Sequence, residues 1–194
     1  MSDLLPLKCP RCGKGLEGEN NSKVFFCRPC ALGLNWHAGA FEAYPLLYVQ
    51  PTREVRGPSM YFPFWLIESR YDVTQRTAYE RRSGQRISYV PAFFIRHINN
   101  FGDIGFYYTG RSIGFETGPD RSLPLFPADR NLQNALALPL VYFWKLLSLE
   151  CDIETLDVRL EHERFSLLLI PYEQSGSDWI DPLISWRYPS GALI

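Results

Sequence analysis

The chain has 194 residues, of which 46 % are hydrophobic, 15 % aromatic and 21 % charged, and its formal net charge is −1. This length allows one domain of ordinary size together with a small module. A net charge near zero excludes a field that would draw the whole protein to nucleic acid or to an anionic membrane. The sequence contains no apolar run of about eighteen residues, which argues against a transmembrane helix.

Four cysteines near the N-terminus form two Cys-x-x-Cys pairs. Cys9 and Cys12 make the first pair, Cys27 and Cys30 make the second, and fourteen residues lie between them. Short turns let the two thiolates of such a pair converge on one ion, and four thiolates complete a tetrahedral shell that suits Zn²⁺. A closed shell with no open position is typical of a structural site. We therefore predict that these four cysteines bind structural zinc.

Iron is the alternative metal, because paired Cys-x-x-Cys knuckles also form rubredoxin-like sites. Iron would make the chain an electron carrier, but the short gap and the absence of a glycine directly after Cys30 favour zinc. The first six residues have neither a basic nor an apolar region of the kind that begins a signal peptide. We therefore expect a cytoplasmic protein with reduced thiolates, in which the leftover Cys151 is a small buried hydrophobe.

The cysteine pairs divide the chain into a predicted zinc ribbon at residues 1–37 and an aromatic-rich β domain at 38–194. Within the ribbon, residues 15–21 are predicted to form a polar turn and 23–26 a short strand. A unit of this size buries too little surface to fold alone, so metal binding has to supply its folding free energy. Residues 38–51 are predicted to connect the ribbon to the β domain and to pack on it.

From residue 61 the sequence becomes strongly β-like, because an apolar run is followed by apolar and polar residues that alternate with a period of two. The predicted strands are 61–73, 77–82 and 86–95, with a turn at 83–85. Pro63 and Pro91 cannot donate to a ladder, so each is expected at an edge, a strand start or a bulge. A proline next to aromatic residues recurs at 62–65, 90–94 and 170–172. This recurrence indicates either a degenerate internal duplication or prolines that mark sheet edges.

The second half of the chain begins with a stretch rich in glycine and aromatic residues at 99–118, which we predict to be a long ordered loop or an irregular hairpin. Residues 132–138 are predicted to form a strand. A helix is predicted at 139–150, because proline fits the first helical turn. The alternative is a helix that starts at Ala128 and kinks at Pro139.

Strands at 156–172 and 179–188 are predicted to form an antiparallel hairpin around a turn at 174–177. The predicted fold class is therefore α+β, with a small N-terminal zinc ribbon followed by a mostly antiparallel β domain that carries one or two helices.

Residues 1–36 resemble a zinc ribbon, with Cys9, Cys12, Cys27 and Cys30 at the four ligand positions. The resemblance implies a module that serves protein contacts, nucleic-acid contacts or structural support. With segments 61–65 and 90–93, the chain also resembles uncharacterised bacterial zinc-ribbon proteins, which implies a bacterial origin but no activity.

Basic residues suggest a nucleic-acid surface as one alternative. Five arginines surround the predicted hairpin at 77–86, and aromatic side chains nearby could stack on bases. These arginines are Arg70, Arg76, Arg81, Arg82 and Arg86. Glu68, Asp72 and Glu80 interrupt the cluster, so a solvated or protein-facing surface is the favoured interpretation.

A catalytic set is not apparent in the sequence. The spacing of His37, His97 and His162 matches neither a metal site nor a catalytic triad. Residues 102–118 lack the glycine motifs that bind phosphate, so the sequence does not indicate whether this loop binds a ligand. Asp178 and Asp181 could form a small acidic site, but a role in a turn is favoured.

We therefore expect a non-catalytic accessory or scaffold subunit that docks onto a larger protein assembly through its zinc ribbon and its aromatic-rich β domain. Tyr, Trp and Arg, which are enriched at the hot spots of interfaces, are frequent in this chain. A nucleic-acid-binding zinc-ribbon protein is the alternative. An enzyme or electron carrier with an unrecognised site is a further alternative.

Overall fold

The computed structural model describes residues 7–50, 57–77, 80–96, 102–119 and 122–193, and these residues are mostly β with few helices. The strands of this part of the chain are β1 (Val24–Cys27), β2 (Leu32–His37), β3 (Ala40–Val49), β4 (Ser59–Gln75), β5 (Glu80–Pro91), β6 (Thr117–Gly118), β7 (Leu156–Ser175), β8 (Asp178–Ile180) and β9 (Arg187–Pro189). The helices are α1 (Ile104–Arg111), the single turn α2 (Leu132–Ala135) and α3 (Leu138–Leu147), and two short 3₁₀ turns lie at Ile153–Thr155 and Ser190–Ala192.

The strands form one mixed sheet in the order β1-β2-β3-β7-β4-β5, with β6 beside β3 and with β8 between β7 and β9. β3 and β7 are parallel where Leu46 to Tyr48 pair with Leu167 to Leu169, and the other strand pairs are antiparallel. The prediction of a β-rich fold with few helices is confirmed, but the sheet is not purely antiparallel. The parallel pair arises because β3 leaves the ribbon hairpin and joins the main sheet.

The predicted connector at 38–51 is thus largely strand β3, and it links the ribbon to the main sheet directly. Its first half pairs with β2, from Ala40 to Pro45, and its second half pairs with β7. The predicted domain boundary after His37 falls in the turn between β2 and β3. The division into two domains stays a prediction.

The strands predicted at 61–73 and 156–172 correspond to the long strands β4 and β7, but the turn predicted at 83–85 is wrong. β5 runs straight through these residues and pairs with β4 from Gln75↔Glu80 to Phe64↔Pro91. Gly84 lies opposite Tyr71, and a Cβ atom on Gly84 would lie 2.8 Å from the Tyr71 hydroxyl oxygen. The glycine therefore makes room for a cross-strand aromatic ring and does not mark a chain reversal.

Pro63 was expected at an edge, a strand start or a bulge, but it lies inside β4 and pairs with β7, and the register shift of this pair lies at Glu68/Ser69. On its other side, the Ala92 N–H donates to the Pro63 carbonyl at 2.9 Å. Pro63 has no N–H to return to Ala92, and the Ala92 carbonyl instead accepts from the Arg130 N–H at 2.9 Å. The missing donor is thus replaced by the segment that leads into α2.

Two segments that were predicted to be a strand and a loop contain helices. Residues 132–138 do not form a strand, because Asn131 caps α2 by accepting from the Asn134 N–H at 2.9 Å. The predicted loop at 99–118 contains α1, which Asp103 caps at its N-terminus. The helix predicted at 139–150 is confirmed as α3, with Pro139 in its first turn. The last predicted strand, 179–188, is interrupted by a turn between β8 and β9.

Alternating side chains of the sheet fill a core on each of its faces. In β4, Tyr61, Trp65 and Ile67 belong to one buried cluster, and Phe62 and Phe64 belong to the other. The same alternation in β1 sends Val24 and Phe26 into the first of these clusters, whereas Phe25 and Cys27 pack within the ribbon. A single short strand thus joins the cysteine cluster to the main core.

Candidate metal centre

The structure brings Cys9, Cys12, Cys27 and Cys30 together, with all four Sγ atoms within 4.8 Å of one another. The Cys9 and Cys30 Sγ atoms are 3.9 Å apart, and those of Cys12 and Cys27 are 3.6 Å apart. A tetrahedron with metal–sulfur bonds of about 2.3 Å has edges of about 3.8 Å. The four thiols therefore have a spacing that could hold one metal ion.

Two tight turns aim the thiols at this point. In the first turn the Gly13 N–H donates to the Cys9 carbonyl at 2.8 Å, and in the second the Ala31 N–H donates to the Arg28 carbonyl at 3.1 Å. Gly13 and Ala31 each follow the second cysteine of a pair, and both have a positive φ, +71° and +51°. Alanine thus adopts here the left-handed conformation that glycine adopts in the first turn.

The surroundings shift the pKa values of two of the thiols in opposite directions. Burial raises the pKa of Cys9, but the backbone N–H groups of Cys12 and Arg11 outweigh burial and lower this pKa to about 7. Burial raises the pKa of Cys27 to about 12, and the neighbouring sulfur atoms act in the same direction. Four adjacent thiols cannot all ionise without a compensating positive charge, and a metal cation supplies that charge.

A buried asparagine ties the ribbon to the rest of the protein. Asn35 in β2 is fully buried, and its Nδ2 donates to Glu42 Oε2 and to Gln133 Oε1, each at 3.1 Å. Its Oδ1 accepts from the Leu132 N–H at 3.0 Å, at the start of α2. The cysteine cluster is therefore carried on strands that are fixed to a helix more than ninety residues further along the chain.

Several of the five arginines singled out in the sequence are held by the protein itself. Arg70 pairs with Glu163, Arg81 binds Asp72 Oδ1 at 2.9 Å, and Arg76 donates to a backbone carbonyl. Arg82 and Arg86 line a cavity between the β4–β5 hairpin and α3. The five therefore do not form one continuous basic surface.

The remaining sequence candidates have other surroundings. His37 lies at the end of β2, and His97 lies outside the described residues. Asp178 begins β8, and Ser177 Oγ donates to its carboxylate at 3.2 Å. Asp181 is buried in a turn, where its carboxylate accepts the Tyr108 hydroxyl and the Leu183 and Ile184 N–H groups. This arrangement supports the favoured role of Asp181 in a turn.

The structure also forms a Ser–His pair that the sequence did not indicate. His162 Nε2 donates to the Leu136 carbonyl at 3.2 Å, so Nδ1 accepts the Ser69 hydroxyl at 2.8 Å. Ser69 is only 1 % exposed. The pair connects β4 and β7 to the segment before α3, and its residues are too far apart in sequence for any spacing rule to predict it.

No helix in the described ranges has the length and apolar character needed to cross a membrane. No protein-family model matches the chain, and searches of curated proteins and of solved structures return no similar protein.

Proposed function

We propose that the four clustered cysteines bind one structural zinc ion and make residues 1–37 a zinc ribbon. The tetrahedral spacing of the sulfur atoms and the burial of Cys9 and Cys27 support this proposal. A structural role fits because thiols fill every ligand position, which leaves no site for a substrate. Metal analysis of the purified protein tests the metal, since iron in this shell would colour the protein and zinc would not.

The function that we propose is that of an accessory or scaffold subunit, located in the cytoplasm, that docks onto a protein partner. The observation that carries this proposal is the outward face of α3. Leu140 and Val141 on this face are 37 % and 46 % exposed, whereas Pro139, Tyr142 and Phe143 on the inner side are buried. We call Leu140 and Val141 the outer face of α3.

The outer side of α3 is apolar in its first turns, and an apolar helix face is typical of a face that is covered. Lys145 is the only charged residue of α3, and Leu149, just beyond its end, is 78 % exposed. A partner with a complementary apolar surface would remove these side chains from water, and a fixed helix would lose little entropy on binding. These features favour a protein partner over nucleic acid, for which the arginines of the hairpin are poorly arranged.

The test replaces the two apolar side chains of the outer face of α3 by glutamate. We expect the double variant Leu140→Glu with Val141→Glu to lose a partner that co-purifies from the native host with the wild-type protein, by about tenfold or more, because buried charges at an apolar interface are costly. The control is Ile87→Glu, which changes an aliphatic side chain of β5 that is 44 % exposed. This variant should keep the partner.

Three results would contradict docking through this face. The first is a wild-type protein that brings down no partner in a stoichiometric amount, and the second is equal retention of the partner by both variants. A homodimer that dissociates in the double variant would assign the face to a second copy of the chain, and a larger assembly would not be needed.

A further inference from the structure

A cavity of about 200 Å³ lies between the β4–β5 hairpin and α3. Val73, Arg82 and Arg86 contribute to its hairpin side, and Phe143 and Leu147 contribute from the helix. None of the four clustered cysteines lines it. The cavity is therefore separate from the metal centre and lies on the inner side of α3, opposite the proposed docking face.

Arg86 gives this cavity a half-buried cation that is in no ion pair among the described residues. Its Nη2 donates to the Thr109 carbonyl at 3.4 Å, and its Cζ lies 5.2 Å from the centre of the Phe143 ring. Its Nε is buried and has no hydrogen-bond partner among the described residues, and no ion pair joins Arg86 to a carboxylate there. Burial lowers the pKa of Arg86, against the opposing effects of Tyr71 and Glu150, which also line the cavity.

The other charged residues of the cavity differ in depth. Two carboxylates, Glu80 and Glu150, line the cavity together with the two arginines, but both carboxylate side chains are exposed to solvent. Arg82 is also exposed and lies on the same side of β5 as Arg86, because strand residues four apart face the same way. The half-buried charge in the cavity is therefore positive.

The remaining wall is apolar. Val73, Phe143 and Leu156 are buried neighbours, and Leu147 packs against them. At about 200 Å³ the cavity is smaller than the sites of about 300–1,000 Å³ that usually hold drug-sized ligands, so it suits a compact ligand. A ligand that satisfies both parts of the cavity needs one negative charge and a compact apolar body.

We propose that this cavity binds a small monocarboxylate with an aromatic or branched apolar body, whose carboxylate pairs with Arg86 and whose body contacts Phe143 and Leu147. A planar carboxylate matches the forked donors of a guanidinium, and the pair is strengthened where water is excluded. This proposal does not depend on the docking function.

The test titrates the full-length, metal-loaded protein with benzoate and follows its amide resonances. We expect saturable shifts at β5 and α3, and we expect Arg86→Gln to weaken binding by about tenfold or more, because a charge-assisted hydrogen bond is lost. Arg81→Gln is the matched control, because Arg81 precedes Arg82 on the same strand but pairs with Asp72 outside this cavity. It should leave benzoate binding unchanged.

Two further measurements test separately whether binding needs the negative charge of the ligand and the free volume of the cavity. Benzyl alcohol, which lacks the charge, and inorganic phosphate, which lacks the apolar body, should both bind at least about tenfold more weakly than benzoate. Leu147→Phe should reduce binding by filling the cavity while Arg86 is retained, which keeps the proposal testable if Arg86→Gln fails to fold. Absence of saturable benzoate shifts, equal binding of benzyl alcohol or phosphate, or unchanged binding in a folded Arg86→Gln or Leu147→Phe variant would overturn the proposal.

Discussion

At the scale of single residues, Asn35 shows how a buried polar side chain can fix the position of a small module. Its Nδ2 donates to Glu42 and Gln133 and its Oδ1 accepts from the Leu132 N–H, so both the nitrogen and the oxygen of the amide are hydrogen-bonded. Without the amide, the buried Leu132 N–H would lose its acceptor, whereas Glu42 would keep Tyr44 and Gln133 as donors. The cost of losing Asn35 should therefore exceed that of one ordinary hydrogen bond.

We predict that Asn35→Ala lowers the free energy of unfolding by about 2–3 kcal/mol, because the Leu132 N–H loses its acceptor in a buried site and the Glu42 carboxylate loses one of its donors. Asn134→Ala is the matched control, since Asn134 is exposed in α2, and it should change stability by less than about 0.5 kcal/mol. Urea unfolding of both variants measures the difference. Equal stabilities would show that Asn35 does not anchor the ribbon.

The cysteines allow an equally direct comparison. Cys12 belongs to the cluster, whereas the Cys151 Sγ donates to the Leu147 carbonyl at 3.5 Å and lies outside it. We predict that Cys12→Ser reduces the metal content from about one ion per chain to near zero after dialysis against a chelator, because a serine hydroxyl is a poor ligand for zinc. Cys151→Ser should keep its metal. Full metal retention by Cys12→Ser would exclude Cys12 as a ligand.

At the scale of elements, glycine explains why α1 was not predicted. Gly105 and Gly110 lower the helix propensity of this segment, so its sequence is more typical of a loop. In the structure Gly105 is needed because α1 lies against β5, where a Cβ atom would be 2.3 Å from the Tyr89 carbonyl oxygen. At Gly110 the nearest atom, 3.1 Å away, is the end of the flexible Leu146 side chain.

We predict that Gly105→Ala destabilises the protein by more than about 2 kcal/mol, because α1 has to move away from the β5 backbone. Gly110→Ala in the same helix should be neutral or stabilising by up to about 1 kcal/mol, since alanine favours the helix and Leu146 can yield. Thermal unfolding of the two variants compares them. A harmless Gly105→Ala would contradict the close packing of α1 on β5.

The elements that the sequence predicted are those with a long or distinctive local pattern. β4 begins as an apolar run and then alternates, β7 has an apolar run in its second half, and α3 carries a proline in its first turn. The wrong predictions concern positions whose structure depends on a tertiary contact. Gly84 lies inside a strand against the Tyr71 ring, and the Arg130 N–H replaces the donor that Pro63 lacks. Neither partner is near in sequence, so local patterns could not predict these features.

The same distinction holds for the sites. The cysteine cluster was predictable because each pair closes a short turn and the two pairs are close in sequence. The cavity around Arg86 was not, because its walls come from β4, β5 and α3, and only the folded chain brings these elements together.

At the scale of the whole molecule, the ribbon is a continuation of the main sheet. β3 pairs with β2 at one end and with β7 at the other, and Val24 and Phe26 of β1 lie in the main core. A metal ion bound by the four cysteines would therefore hold in place the strand that completes this side of the core. A protein built in this way should unfold as one unit, and its stability should depend on the metal.

The most direct test of this account is the melting temperature before and after metal removal, with the metal content measured on the same samples. A metal present at 1,000 times its dissociation constant adds about 4 kcal/mol, which for a chain of this size corresponds to a melting temperature about 10 °C higher. We predict that the metal-free protein melts about 10 °C or more below the metal-bound protein in a single transition, and that added zinc restores the higher value. An unchanged melting temperature after complete metal loss would contradict the account.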